Sequence, residues 1–238
     1  MSQPNGHPLR GLLVAQFLGA FNDNAWKLVV TLLGVQAVQI QGLEGMELEA
    51  ESHFQTTLAF LVLTLPLMLF SIPAGVLADR LSKRSVIVAM KLMETILMLA
   101  GTCALFLQPG NQPLLLGILG CMGIQSSLFS PAKYGILPEL IPHERLSAGN
   151  GMLEMWTFLA IIIGTGIGGA LLAGAQQLRP GGELIWLTGA TLAVLSVVGF
   201  FAARAIPYVE PARDAGGLIE TNRAASVSYT HLTLPTKA

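Results

Sequence analysis

Six stretches of this chain, roughly 11–40, 56–78, 85–107, 114–136, 152–174 and 184–204, are apolar over nearly their whole length. A helix needs about 20 such residues to cross the hydrocarbon core of a bilayer. In that medium each backbone N–H and C=O must be satisfied within its own segment. The pattern therefore predicts an all-α membrane protein with six transmembrane helices. Composition agrees, because 11% of the 238 residues are charged and 53% are hydrophobic, against about 25% charged in soluble domains. The connections are short except for 41–55. The first stretch is long because its far end, from Gln36 to Gln41, is already polar.

Basic residues mark one side. Arg10 precedes the first stretch, and Arg80, Lys83 and Arg84 lie between the second and third. His143 and Arg145 lie between the fourth and fifth, and Arg204 and Arg213 follow the sixth. The other side carries Glu44, Glu47, Glu49 and Glu51, an uncharged loop at 108–113, and Arg179. The positive-inside rule then places both termini in the cytoplasm. Residues 1–10 read as a cytoplasmic N-terminus with no signal peptide, since the apolar run that follows is too long for an h-region. Residues 205–226 read as the start of a cytoplasmic central loop. The last segment, "VSYTHLTLPTKA" (227–238), reads as translated adapter sequence joined to a truncated frame.

Several functions are not supported by this sequence. A net charge of −1 gives no reason to expect a nucleic-acid partner. Cys103 and Cys121 sit inside apolar runs and read as small apolar filler buried in the bilayer. There is no GxSxG, no HExxH and no His followed four residues later by Asp. The four histidines are scattered over termini and loops. No catalytic residue, metal site or cofactor is called for.

The polar residues inside the spans carry the functional signal. "FNDNAWK" (21–27) places Asn22, Asp23, Asn24 and Lys27 within six residues. Each charge at mid-membrane costs about 2.5–3.5 kcal/mol, so each needs a partner or a function. Asp23 and Lys27 are four apart and share a helix face, while Asn22 is turned about 100° away. Lys91 and Glu94, one turn apart in "MKLMET", read as a structural pair. Glu154 lies near the start of the fifth span, where the helix N-terminus favours a carboxylate. Lys133 follows Pro131, where a helix can open and free backbone carbonyls. Gln125 and Asn150 are further polar candidates. Glycines cluster in "GILGCMG" (117–123) and in "GTGIGGALLAG" (164–174), which sets Gly164 and Gly168 in GxxxG spacing. Small residues let helices approach closely in lipid.

"GVLADRLSKRSV" (75–86) ends one apolar helix with small residues, adds an acid and three bases, and starts the next helix. By charge pattern alone it is a topology anchor that binds anionic headgroups. The arrangement resembles the signature loop of the major facilitator superfamily, carried here by Gly75, Leu77, Ala78, Asp79, Arg80, Lys83 and Arg84, with Ser82 in place of the family's glycine. The resemblance implies the N-terminal six-helix bundle, over 11–204, of a transporter whose C-terminal half lies beyond this chain. It also implies a cytoplasmic gate latch, in which Asp79 would face Arg145 in "PHERLSAGNG" and a helix N-terminus of the other half.

A narrower resemblance covers most of 9–204. "QFLGAFNDNAWK" (16–27) and "SPAKYGILPELIPHERLSAGNGMLEMWTFLAIIIGTGIGG" (130–169) are similar to the bacterial lysophospholipid transporters, most of all the version fused to a 2-acylglycerophosphoethanolamine acyltransferase and an acyl-carrier-protein ligase. The resemblance implies alternating-access movement of lysophosphatidylethanolamine from the outer to the inner leaflet of a bacterial inner membrane, for reacylation. Its partners would be that lipid, the surrounding membrane lipids, the missing half and a cytoplasmic acyltransferase domain. Within it, Asp23, Asn24 and Lys27 are expected to face the inter-bundle cavity, Asp23 toward an ammonium and Lys27 toward a phosphate. Lys133 and Glu154 are added as substrate-binding candidates. Two alternatives stay open, a superfamily exporter of a small amphipathic solute or drug and a membrane anchor for a fused acyltransferase. An internal Asp23–Lys27 pair is the competing structural reading.

Overall fold

The computed structural model describes residues 9–179 and 183–208. The expected tail at 227–238, most of the central loop and most of the N-terminal segment lie outside the described residues. Eight α-helices follow one another: α1 (Arg10–Ile40), α2 (Gly45–Leu69), α3 (Ser71–Arg80), α4 (Lys83–Leu107), α5 (Gln112–Gly135), the single turn α6 (Leu137–Leu140), α7 (Leu146–Leu178) and α8 (Trp186–Arg204). No strand occurs among the described residues.

Five helical segments are both long and apolar enough to cross a membrane: Gly45–Leu69, Lys83–Leu107, Gln112–Gly135, His143–Leu178 and Trp186–Arg204. α1 has the length, with 31 residues spanning about 46 Å. It falls short of that degree of apolarity because Asn22, Asp23, Asn24 and Lys27 interrupt its middle.

Two boundaries differ from those read in the sequence. The expected span 56–78 is broken at Phe70, between α2 and α3. Pro73 has no N–H for the Leu69 carbonyl and its ring crowds that carbonyl, which favours a break at this point. The expected loop 41–55 is mostly helix, since α2 begins at Gly45. Its first turns, GMELEAES, are rich in strong helix formers with Glu47 in the first turn. The true turn is 41–44; Gly42 within it and Gly45 just after it have φ of 75° and 55°.

α1 is the central helix and packs on α7, α8, α2 and α5; α4 packs on α8 and α5, and α2 and α3 pack on α5. Glycine sets how close these helices come. A Cβ on Gly164 of α7 would stand 2.5 Å from the Phe21 carbonyl oxygen, and one on Gly168 would stand 2.7 Å from Ala25 Cα. Gly189 of α8 meets Thr102 of α4 in the same way, and Gly123 of α5 meets the Leu63 carbonyl of α2. Where lipid offers no hydrophobic drive between helices, such approach supplies the packing. Gly166, inside the same glycine run, has open space. Both cysteines are exposed at the surface of the bundle.

Two apolar cores form, one around Trp26, Val29, Met98, Leu119 and Leu192, the other around Leu12, Ile87, Phe129, Ile136 and Ala203. Between them lies a polar layer containing Asn22, Lys91, Glu94 and Gln125, all buried. The end beside the second core carries the basic loops. There Lys83 Nζ is 2.5 Å from Glu139 Oε1, and Arg84 donates to the carbonyls of Ile206 (2.6 Å) and Arg204 (2.9 Å).

Candidate functional site

The polar layer opens into a cavity of about 310 Å³. α1 supplies Gln16, Gly19, Ala20, Asp23 and Asn24; α4 supplies Lys91 and Glu94. Ser126, Phe129, Ser130 and Lys133 come from α5, Thr157 and Ile161 from α7, and Leu63 and Leu67 from α2. The spacings Gln16, Gly19–Ala20, Asp23–Asn24 and Ser126, Phe129–Ser130, Lys133 are each a single helix face. Two inward stripes, on α1 and α5, thus build most of the site.

Asp23 is the central carboxylate. Its Oδ2 accepts a 2.5 Å hydrogen bond from Ser126 Oγ, while its buried Oδ1 has no hydrogen-bond partner. Lys27 is not its ion-pair partner: Lys27 Nζ donates to Asn24 Oδ1 at 2.9 Å, and Asn24 Nδ2 donates to the Ala20 carbonyl at 2.8 Å. Asp23 and Asn24 line this cavity within the bundle, and Lys27 is not among its lining residues. The competing Asp23–Lys27 pair is absent as well. Asn22 points elsewhere, donating to Glu94 Oε1 at 2.9 Å, in keeping with its rotation from Asp23.

Lys133 lines the cavity and is buried, with its ammonium 4.7 Å from the centre of the Tyr134 ring. α5 continues helically through Pro131 to Gly135, so the expected opening of the helix there does not occur. Lys133 stands on an intact helix, close to its end. Glu154 is outside the cavity lining and accepts a hydrogen bond from the Tyr134 hydroxyl. Gln125 is buried beside Ser126, and Asn150 is exposed. Sequence reasoning missed Ser126, Gln16 and Thr157; the last two are joined by a 2.7 Å bond from Gln16 Nε2 to Thr157 Oγ1. The polar cluster "QSS" (125–127) inside an apolar run is the signal that points to Ser126.

In the signature loop, Arg80 is exposed and Gly75 has open space around its Cα. The side chain of Asp79 lies outside the described residues. Lys83 and Arg84 are tied to Glu139 and to the end of α8, as described above. Arg145 lines a second cavity at the basic end with Arg10, Glu144 and Leu13. No three His, Cys, Asp or Glu side chains gather to hold a metal among the described residues.

A multi-helix membrane bundle with charges turned onto an internal cavity has the architecture of a membrane transport protein. The sequence profile of the Major Facilitator Superfamily matches residues 12–232, and the chain belongs to that family. It is 31% identical over 163 residues to the lysophospholipid transporter LplT of Photorhabdus laumondii subsp. laumondii, covering 68% of this chain and 36% of that protein. It is 33% identical over 160 residues to the protein of the same name from Salmonella paratyphi B, covering 67% and 35%. The Salmonella newport protein is 32% identical over the same length. The chain thus spans about a third of the length of the curated relatives it matches.

Proposed function

We propose that this chain is one bundle of a transporter that carries a lysophospholipid, lysophosphatidylethanolamine first among them, from the outer to the inner leaflet of a bacterial inner membrane, where it is reacylated. The observation that carries the reading is the pairing, in one cavity, of a carboxylate with a free oxygen and a separate cation. Asp23 Oδ1 has no partner in the structure, and Lys133 stands on the neighbouring helix. A phosphoethanolamine headgroup carries an ammonium and a phosphate a few bonds apart and fits such a pair. Leu63, Leu67, Phe129 and Ile161 give the same cavity apolar walls for an acyl chain. In this reading Lys133 takes the phosphate role that the sequence assigned to Lys27.

The basic end faces the cytoplasm, by the positive-inside rule, and the other half of the transporter closes the cavity during alternating access. The printed names of the similar proteins support the choice of cargo. The test is leaflet-to-leaflet movement of labelled lysophosphatidylethanolamine by the complete transporter in vesicles. Asp23→Asn is expected to slow it several-fold. A rate unaltered by Asp23→Asn removes this carboxylate from the site. Normal reacylation in cells whose transporter carries both Asp23→Leu and Lys133→Leu would favour a mere membrane anchor.

A further inference from the structure

The cavity holds a second cation that the reading above leaves unused. Lys91 Nζ is 2.6 Å from Glu94 Oε2, and both side chains are 1% exposed. Glu94 is held from its other oxygen by Asn22 of α1. Asn22 Nδ2 also lies 3.4 Å from the Leu192 carbonyl of α8. The carboxylate is thus anchored to α1 independently of Lys91. The ammonium, equally buried, has Glu94 as its hydrogen-bond partner and no such second tie. It lies 5.1 Å from the centre of the Phe129 ring, and both Lys91 and Phe129 line the cavity. Phe129 is one turn from Lys133 on α5, and both of these residues line the cavity with Lys91.

Gly19 completes the arrangement. A Cβ there would stand 2.2 Å from Lys91 Nζ, so only glycine leaves the ammonium in its present position. A buried pair of this kind adds little stability over well-packed apolar residues, which makes its presence on a cavity wall informative. A charge-assisted hydrogen bond to a phosphate oxygen is as favourable for an ammonium as one to a carboxylate.

We propose that Lys91 is a second phosphate-binding residue, kept in reserve by Glu94: an entering phosphodiester draws the ammonium away from Glu94, Asn22 retains the carboxylate, and re-pairing helps to expel the cargo. The ligand class is an amphiphile with a phosphodiester headgroup, and the proposal rests on the lipid-transport reading. An exchange of partners of this kind ties cargo binding to the packing of α4 against α1.

The experiment compares four forms of the complete transporter: wild type, Lys91→Met, Glu94→Gln and the double variant Lys91→Met/Glu94→Met. Binding is read as thermal stabilisation by glycerophosphoethanolamine, the headgroup alone, and transport as the half-saturating concentration and maximal rate for lysophosphatidylethanolamine. Glu94→Gln is expected to bind the headgroup about tenfold more tightly, with a lower maximal rate because release slows. The double variant, in which no charge is stranded, is expected to fold normally and to need about tenfold more lipid for half-saturation. A double variant with wild-type headgroup binding and transport would overturn the proposal and leave Lys91–Glu94 as a structural pair. If glycerophosphoethanolamine stabilises the wild type and Lys91→Met equally, Lys91 is not a phosphate ligand, while the transport reading stands. If it stabilises none of the four and the wild type moves no lysophospholipid, the lipid-transport reading falls and this proposal with it.

Discussion

Asp23 and Lys27 stand one turn apart on α1 and serve different neighbours. Asp23 is bonded to Ser126 across the cavity, and Lys27 to Asn24 on its own helix. The distinction gives a graded prediction. A hydrogen bond to a charged group is worth about 1.5–3 kcal/mol, so Lys133→Ala should cut lysophospholipid transport by about tenfold or more. Lys27→Ala should change it by less than about twofold, because only a local bond to Asn24 is lost. Vesicle transport assays of the two variants side by side check the order; a reversed order would return the phosphate to Lys27. Intramembrane charge made Asp23, Lys27 and Lys133 legible in the sequence, because charge in a span is costly wherever it points. Which of them look into the cavity was not legible. That depends on a rotation of α1 fixed by Gly164 and Gly168 of α7, far along the chain. Ser126 was hidden for another reason, since a serine in a membrane helix can satisfy itself on its own backbone.

At the scale of the helices, glycine and proline positions explain most of the architecture. Gly164→Ala forces a methyl against the Phe21 carbonyl and, as an overpacking change, should cost about 1–3 kcal/mol. Gly166→Ala, two residues on, meets nothing and should be neutral or slightly stabilising through helix propensity. Thermal unfolding in detergent separates them: a lower midpoint is expected for Gly164→Ala alone. The GxxxG spacing identified Gly164 and Gly168 from sequence, and each of the six apolar stretches read there overlaps a long helix. The break at Phe70 was not, because Pro66 and Pro73 both sit inside an uninterrupted apolar run. Pro66 is accommodated within α2 while Pro73 ends it. α2's early start was masked by glutamates, which signal a loop by charge and a helix by propensity.

Taken whole, the bundle is bolted at its basic end. Lys83 reaches Glu139 in α6, and Arg84 caps the carbonyls at and just beyond the end of α8, so the signature loop is tied to two chain segments distant in sequence. Arg84→Gln should speed amide exchange around 203–206 by about tenfold, the equivalent of about 1.4 kcal/mol, and Arg84→Lys should not fully rescue it because a single ammonium lacks the guanidinium fork. Exchange followed by mass spectrometry reads this directly, and equal protection in wild type and Arg84→Gln would show the cap to be idle. The polar layer between the two cores bears on biogenesis. α1 is made before α4 and α5, and the groups that satisfy Asn22 and Asp23 lie 72 and 103 residues later in the chain. At ribosomal speeds of about 5–20 residues per second, α1 waits some 5–20 s for α5 to emerge. During that interval its carboxylate must be sheltered by the insertion machinery or remain at the headgroup boundary, so the order of synthesis, as well as the finished contacts, governs whether this helix ever spans.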